Sequence, residues 1–168
     1  MLRFCFLFFF CITTIKNADI SQAKDLAPNP YEIEKLKGNS IPTFQIETFN
    51  KGFINSSNFS GKRVLVTFWA SWSPVSAEDL MRIYENIKNK DIILLAICID
   101  KEKEKANFLI KDLTQQNVIF AYDKGGRVSK DLFKVFMIPT TIYVNDKGII
   151  ETIYLGLQDW NYKIKRIT

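Results

Sequence analysis

At 168 residues the chain is long enough for one well-buried domain and too short for two ordinary ones, and its 47% hydrophobic and 24% charged residues are those of a globular protein. The net charge of +5 comes from lysines spread over the whole chain, without an arginine-rich stripe or interleaved aromatics, and this argues against nucleic acid as a partner. There is no histidine, which removes the usual general base of a serine hydrolase and the commonest metal ligand.

Residues 1–23 have a positive start at Arg3, an apolar run over residues 4–15 and a polar stretch after it. About twelve apolar residues fall short of the roughly twenty a membrane span needs, so the segment reads as a signal peptide, with an uncleaved short membrane anchor as the alternative. An exported protein is expected, periplasmic or otherwise extracytoplasmic, cleaved after Ala23 or Ala18. Of three cysteines, Cys5 and Cys11 fall in this segment, which leaves Cys98 alone in the mature chain with no partner for a disulfide.

Residues 24–40 contain Pro28, Pro30 and Gly38 with little periodicity and read as a linker or an arm on the domain surface, so the folded domain is expected over residues 41–168. Phe44-Gln45-Ile46-Glu47-Thr48-Phe49 alternates apolar and polar residues and predicts a strand. Asn50-Lys51-Gly52 then turns the chain into a second strand at Phe53-Ile54, and residues 56–60 read as a helical turn. Arg63-Val64-Leu65-Val66-Thr67-Phe68 predicts a central strand. After it, Leu80, Ile83, Tyr84 and Ile87 recur at helical spacing and predict a helix over residues 74–89.

Residues 92–99 are an unbroken apolar run, as in a strand covered on both faces, and with the preceding strand and helix they form a parallel crossover unit. A charged helix start at residues 100–105 leads to Ala106, Leu109, Ile110 and Leu113 on one expected buried face. A short strand follows at residues 118–121, a turn at Asp123-Lys124-Gly125-Gly126 and a short helix over residues 129–136 that ends before Pro139. A hairpin over residues 140–155, turning at Asn145-Asp146-Lys147-Gly148, and a closing helix over residues 160–167 complete the chain. The fold class is therefore α/β, a central mixed sheet flanked by helices with an N-terminal β-hairpin addition.

This order of elements resembles the thioredoxin fold and, within it, the exported, redoxin-like TlpA/ResA group of thiol-disulfide oxidoreductases. Four matches carry the resemblance from about Ile41 to the C-terminus. They are Gly61-Lys62 with Phe68-Trp69-Ala70-Ser71-Trp72, Ile138-Pro139-Thr140-Thr141 as a cis-proline loop, the hairpin turn at residues 145–148, and the Phe44 hairpin. The resemblance implies that the two catalytic cysteines would fall at Ser73 and Ser76, and the family's acidic residue at Asp79 with Glu78 beside it. Pro74 follows the first of these positions, and Val75 stands where the family commonly has a proline. The leader segment and Val75, which an engineered double substitution would have no reason to introduce, point to natural loss of the cysteines.

Thiol-disulfide exchange needs a thiolate and a resolving thiol, so Ser73 and Ser76 predict a degenerate site without catalytic residues. Read on its own, Ser73-Pro74-Val75-Ser76 is an ordinary helix start, a serine N-cap followed by proline at the first helical position. Cys98, inside an apolar run, is expected to be a small buried hydrophobe. Neither a cofactor nor a metal is implied, the histidine-dependent copper site of thioredoxin-fold copper chaperones included.

Trp69 is expected in the core. Trp72 is expected partly exposed near Pro139, where thioredoxin-like proteins receive an extended peptide. The expected binding surface is thus Trp72, Ser73, Pro74, Val75, Ser76, Ile138 and Pro139, with an extracytoplasmic protein or peptide as partner. The alternatives are a thiol-disulfide oxidoreductase of redox homeostasis or cytochrome maturation that works with a partner's thiol, and a purely structural exported module.

Overall fold

The computed structural model describes residues 29–50 and 52–168; the expected signal peptide and the first part of the expected linker lie outside the described residues. In chain order the elements are α1 (Pro30–Glu34), β1 (Gln45–Thr48), β2 (Phe53–Asn55), β3 (Val64–Trp69), α2 (Pro74–Asn86), β4 (Ile93–Cys98), α3 (Lys103–Ile110), β5 (Val118–Tyr122), β6 (Thr140–Val144), β7 (Ile150–Leu155) and α4 (Trp160–Ile167).

The strands form one sheet in the order β2-β1-β5-β4-β3-β6-β7. The three central strands β5, β4 and β3 are parallel, and β1 and β6 flank them antiparallel. Every residue of β3 is buried, which explains its lack of polar alternation: a strand covered on both faces has no solvent side. Its residues nonetheless alternate between two cores. Val64, Val66 and Phe68 join Leu95, Ile97 and Ile142 on one face; Leu65 and Trp69 join Leu94, Ala96 and Cys98 on the other.

The second face is covered by Leu80 and Ile83 of α2, Ala106 and Ile110 of α3, and Trp160 and Ile164 of α4. Each buried Leu or Ile side chain among them contributes about 1.5–3 kcal/mol of transfer free energy. The first face is closed by Ile33 of α1, Phe44 and Phe133, whose ring lies 5.8 Å from that of Phe44 and 5.3 Å from that of Phe68.

Four details differ from the sequence reading. Part of the expected linker belongs to the fold: Asn29 caps α1, Ile33 is completely buried, and Gly38 N–H donates to Ile150 O at 2.8 Å, so the folded unit starts before Ile41. A five-residue helix is too short to display a 3.6-residue period. The helix expected over residues 74–89 ends at Asn86, ahead of Asn89, which adopts the left-handed region at φ 61°.

Leu109, expected on the buried face, is exposed, because only Ala106 and Ile110 of α3 reach the sheet. The helix expected over residues 129–136 is present but shifted and wide: it is a π-helical stretch, Arg127–Leu132, closed by Phe133 N–H donating to Val128 O.

Candidate functional site

The parallel pairing brings three chain segments to one end of the sheet. Trp69 lies beside Cys98, and Cys98 beside Tyr122, so residues 70–76, 99–105 and 123–130 all leave at strand carboxyl ends. Antiparallel β6 begins there too, with Thr140 beside Phe68, and the cis Ile138–Pro139 bond precedes it. Ligands of open α/β sheets settle outside such carboxyl ends.

The turn from β3 into α2 is fastened from inside. Ser73 caps the helix, its Oγ accepting from Ser76 N–H at 3.4 Å, and Pro74 occupies the first helical position, where a missing N–H costs nothing. Ser76 is 0% exposed. Its hydroxyl accepts from Ala70 N–H at 3.1 Å and lies 3.1 Å and 3.0 Å from the Ala70 and Ser73 carbonyl oxygens, to one of which it donates. Asp100, buried after β4, accepts from Ser71 N–H at 2.8 Å and from the Ser71 hydroxyl, which ties the same loop to the neighbouring strand.

This geometry divides the residues expected to form a binding surface. Trp72 is 67% exposed, Pro74 and Val75 are exposed, and Ser73 and Ile138 are half-buried. Ser76 and Pro139 are buried and are withdrawn from the accessible surface. The reason in each case is hydrogen bonding: Ser76 is spent on the loop backbone, and Pro139 O accepts from Gly156 N–H at 2.9 Å, which draws its loop against the segment after β7.

Pro139 is not among the residues that line the groove beside Trp72. Trp72 forms one wall of this groove of about 840 Å³, whose other walls come from Ile99, Lys101, Tyr122, Gly125 and Lys130. A second cleft lies away from this end of the sheet, between the β1–β2 hairpin and the turn after β6, and touches none of these residues. Among the described residues, no cluster of three or more His, Cys, Asp or Glu is placed to hold a metal ion.

The Redoxin family model matches residues 36–166. The chain belongs to the Redoxin family. It is 30% identical over 126 residues to thiol-disulfide oxidoreductase ResA of Oceanobacillus iheyensis, covering 71% of this chain and 65% of that protein, which is under two thirds of the relative's length. It is 24% identical over 131 residues to thiol:disulfide interchange protein DsbE of Vibrio cholerae, covering 76% of this chain and 70% of that protein. The thioredoxin domain of a thiol-disulfide oxidoreductase from Bacteroides vulgatus superposes with a TM-score of 0.65 at 18% identity, over 79% of this chain and 98% of that one. The fold is thioredoxin-like α/β, a central mixed sheet flanked by helices.

Two titratable groups of this redoxin lie behind the helix start. Asp79 is 1% exposed; its Oδ1 accepts from Trp160 Nε1 at 2.7 Å and from Gln158 N–H at 3.0 Å, while Oδ2 has no partner. Burial raises its pKa above the usual carboxylate value, and the hydrogen bonds from Gln158 and Trp160 and the charge of Arg82 pull it down only in part. Cys98 is 0% exposed, accepts from Asp100 N–H at 3.4 Å, and has its thiol pushed up to about 12, chiefly by burial. It is a buried hydrophobe with little thiolate at neutral pH.

Sequence reasoning missed Asp100, read as part of a charged helix start, and the lysines of the groove. An acidic residue directly after an apolar strand was the available signal for Asp100, since burial there demands donors such as those of Ser71.

Proposed function

We propose that this redoxin is an exported, TlpA-type protein that binds an extended peptide or protein partner beside Trp72 and does not itself turn over disulfides. One observation carries the reading. Where exchange chemistry needs a thiolate and a resolving thiol, the helix start holds Ser73 and Ser76, and the Ser76 hydroxyl is committed to backbone. A serine hydroxyl ionises far above physiological pH and forms no mixed disulfide.

Binding draws support from Trp72, a large exposed aromatic beside exposed Pro74 and Val75, because rigid aromatic side chains are the usual anchors of protein contacts. Export draws support from the apolar run at residues 4–15, which lies outside the described residues; among those described, no helix is long and apolar enough to cross a membrane.

The test is insulin reduction by the full chain with dithiothreitol as electron donor, run beside a Ser73→Cys/Ser76→Cys variant. The native chain is expected to give no turnover above dithiothreitol alone; turnover by the native chain overturns the reading. Binding is tested on immobilised extended hexapeptides, where Trp72→Ala is expected to weaken capture about tenfold or more. Capture that survives this change unaltered places the partner elsewhere.

A thiol-disulfide oxidoreductase that works with a partner's thiol is the second reading, favoured by the names of the relatives. It requires Cys98 to react. Rapid alkylation of Cys98 in the folded chain at pH 8 would support it, and protection until denaturant is added would count against it.

A further inference from the structure

The groove beside Trp72 carries a charge imbalance that the helix start does not explain. Ile99 and Tyr122 give it an apolar lining, and its volume of about 840 Å³ is within the range of ligand-binding clefts. Exposed Lys101, Lys124 and Lys130 line it. With Lys105 they make four lysines against two acidic groups that line it: Asp100, buried and accepting from the Ser71 N–H and hydroxyl, and Glu102, 3.0 Å from Lys105 Nζ. Among the described residues, Lys101, Lys124 and Lys130 make no ion pair.

The loop that carries two of these lysines is built rather than loose. Asp123, 4% exposed, accepts from Val128 N–H at 3.1 Å and from Ser129 N–H at 2.7 Å, which clamps the ends of the loop together. Gly125 and Gly126 take φ 84° and 82°, a bend that other residues resist. At Gly126 the missing Cβ leaves room for the stem of Lys130, whose Cδ would lie only 3.0 Å from it. Cations held on a fixed frame before a partner arrives lose less freedom on binding.

We infer that this groove receives an extended peptide segment rich in Asp and Glu, with an apolar or aromatic side chain against Trp72 and its carboxylates on Lys101, Lys124 and Lys130. The inference rests on the binding reading above and names the chemistry of its partner. A peptide fits better than a lipid surface, because these lysines surround a concavity with an aromatic wall, whereas a bilayer would meet convex side chains first. Strand carboxyl ends supply the location, and electrostatic complementarity supplies the selectivity.

The experiment uses the full chain and three hexapeptide arrays, each with phenylalanine at the third position and with net charge −3, 0 or +3. At low salt the acidic array is expected to bind about tenfold or more tightly than the neutral one, since three exposed lysines each add a factor of a few. The preference should shrink at high ionic strength. A Lys101→Glu/Lys124→Glu/Lys130→Glu variant is expected to lose it and favour the basic array, with its far-ultraviolet dichroism unchanged.

Equal capture of the acidic and neutral arrays, both lost on Trp72→Ala, overturns the acidic inference and leaves the binding reading standing. Capture of none of the arrays overturns both. Binding to phosphatidylglycerol vesicles without any preference among the arrays assigns the lysines to a membrane surface and overturns the inference.

Discussion

Ser76 and Asp79 stand one helical turn apart on α2 and are both withdrawn from water, yet their polar atoms fare differently. The Ser76 hydroxyl is satisfied within six residues of chain, by Ala70 and Ser73. Asp79 is satisfied from far along the chain, by Gln158 and Trp160, and only on one of its two oxygens. The first turn of the helix is thus closed by local contacts, whereas the second is a tether to α4 that leaves a carboxylate oxygen uncompensated. Local closure makes a rigid platform for Trp72; the tether sets where that platform sits on the sheet.

Removing the tether should have the larger effect. Asp79→Ala deprives the buried Trp160 indole and the Gln158 N–H of their acceptor together, and a loss of about 3 kcal/mol is expected, from one or two stranded donors. Urea unfolding followed by tryptophan fluorescence reads it directly. An unchanged midpoint would mean that the link between α2 and α4 carries no stability.

Opening the local closure should cost less. Ser76→Ala leaves the Ala70 N–H without its acceptor, for an expected loss of about 1–2 kcal/mol. Amide exchange at Ala70 and Ser71 should accelerate while exchange at residues 158–160 stays as it was. Parallel acceleration at both places would erase the distinction between the two turns. Smaller still is Ser73→Ala, at about 0.5–1 kcal/mol for an N-cap, toward the low end because the Ser76 N–H lies 3.4 Å away.

The contrast between local and distant contacts also explains what the sequence disclosed. The unbroken apolar run at residues 92–99 reads as a strand buried on both faces, and Ser73-Pro74 announced a helix start from local chemistry alone. Ile33 was hidden because a single apolar residue in a five-residue helix has no period to show. Leu109 sits at helical spacing from Ala106 and Leu113, and only the narrow contact of α3 with the sheet decides that it faces water. The burial of Ser76 and Pro139 was equally out of reach, since both depend on how a loop folds back.

The groove comes from Trp72 and from residues 99–105 and 122–130, which meet only through the pairing of Trp69 with Cys98 and of Cys98 with Tyr122. Lysine spacing along the chain carries no trace of that meeting.

The finest test of the tether is Asp79→Asn, which keeps an acceptor for Trp160 and Gln158 but removes the charge. The folded-state pKa of Asp79 is raised, mainly by burial, from its ordinary value of 3.8. The native chain therefore holds this proton more tightly than the unfolded chain does, and the stabilisation from protonation is complete below pH 3.8 and lost as pH rises through the folded value.

The amide has no such titration, so the stability of the variant relative to the native chain should rise over that interval and level off above it. Opposing this gain, the amide places an N–H where Oδ2 had no partner, a cost that is independent of pH. The two effects offset at neutral pH, which makes this the smallest net change of the four, and its signature lies in the slope. Urea midpoints of both chains from pH 3 to 7 should converge or cross, and parallel profiles would show that the buried oxygen carries no charge penalty.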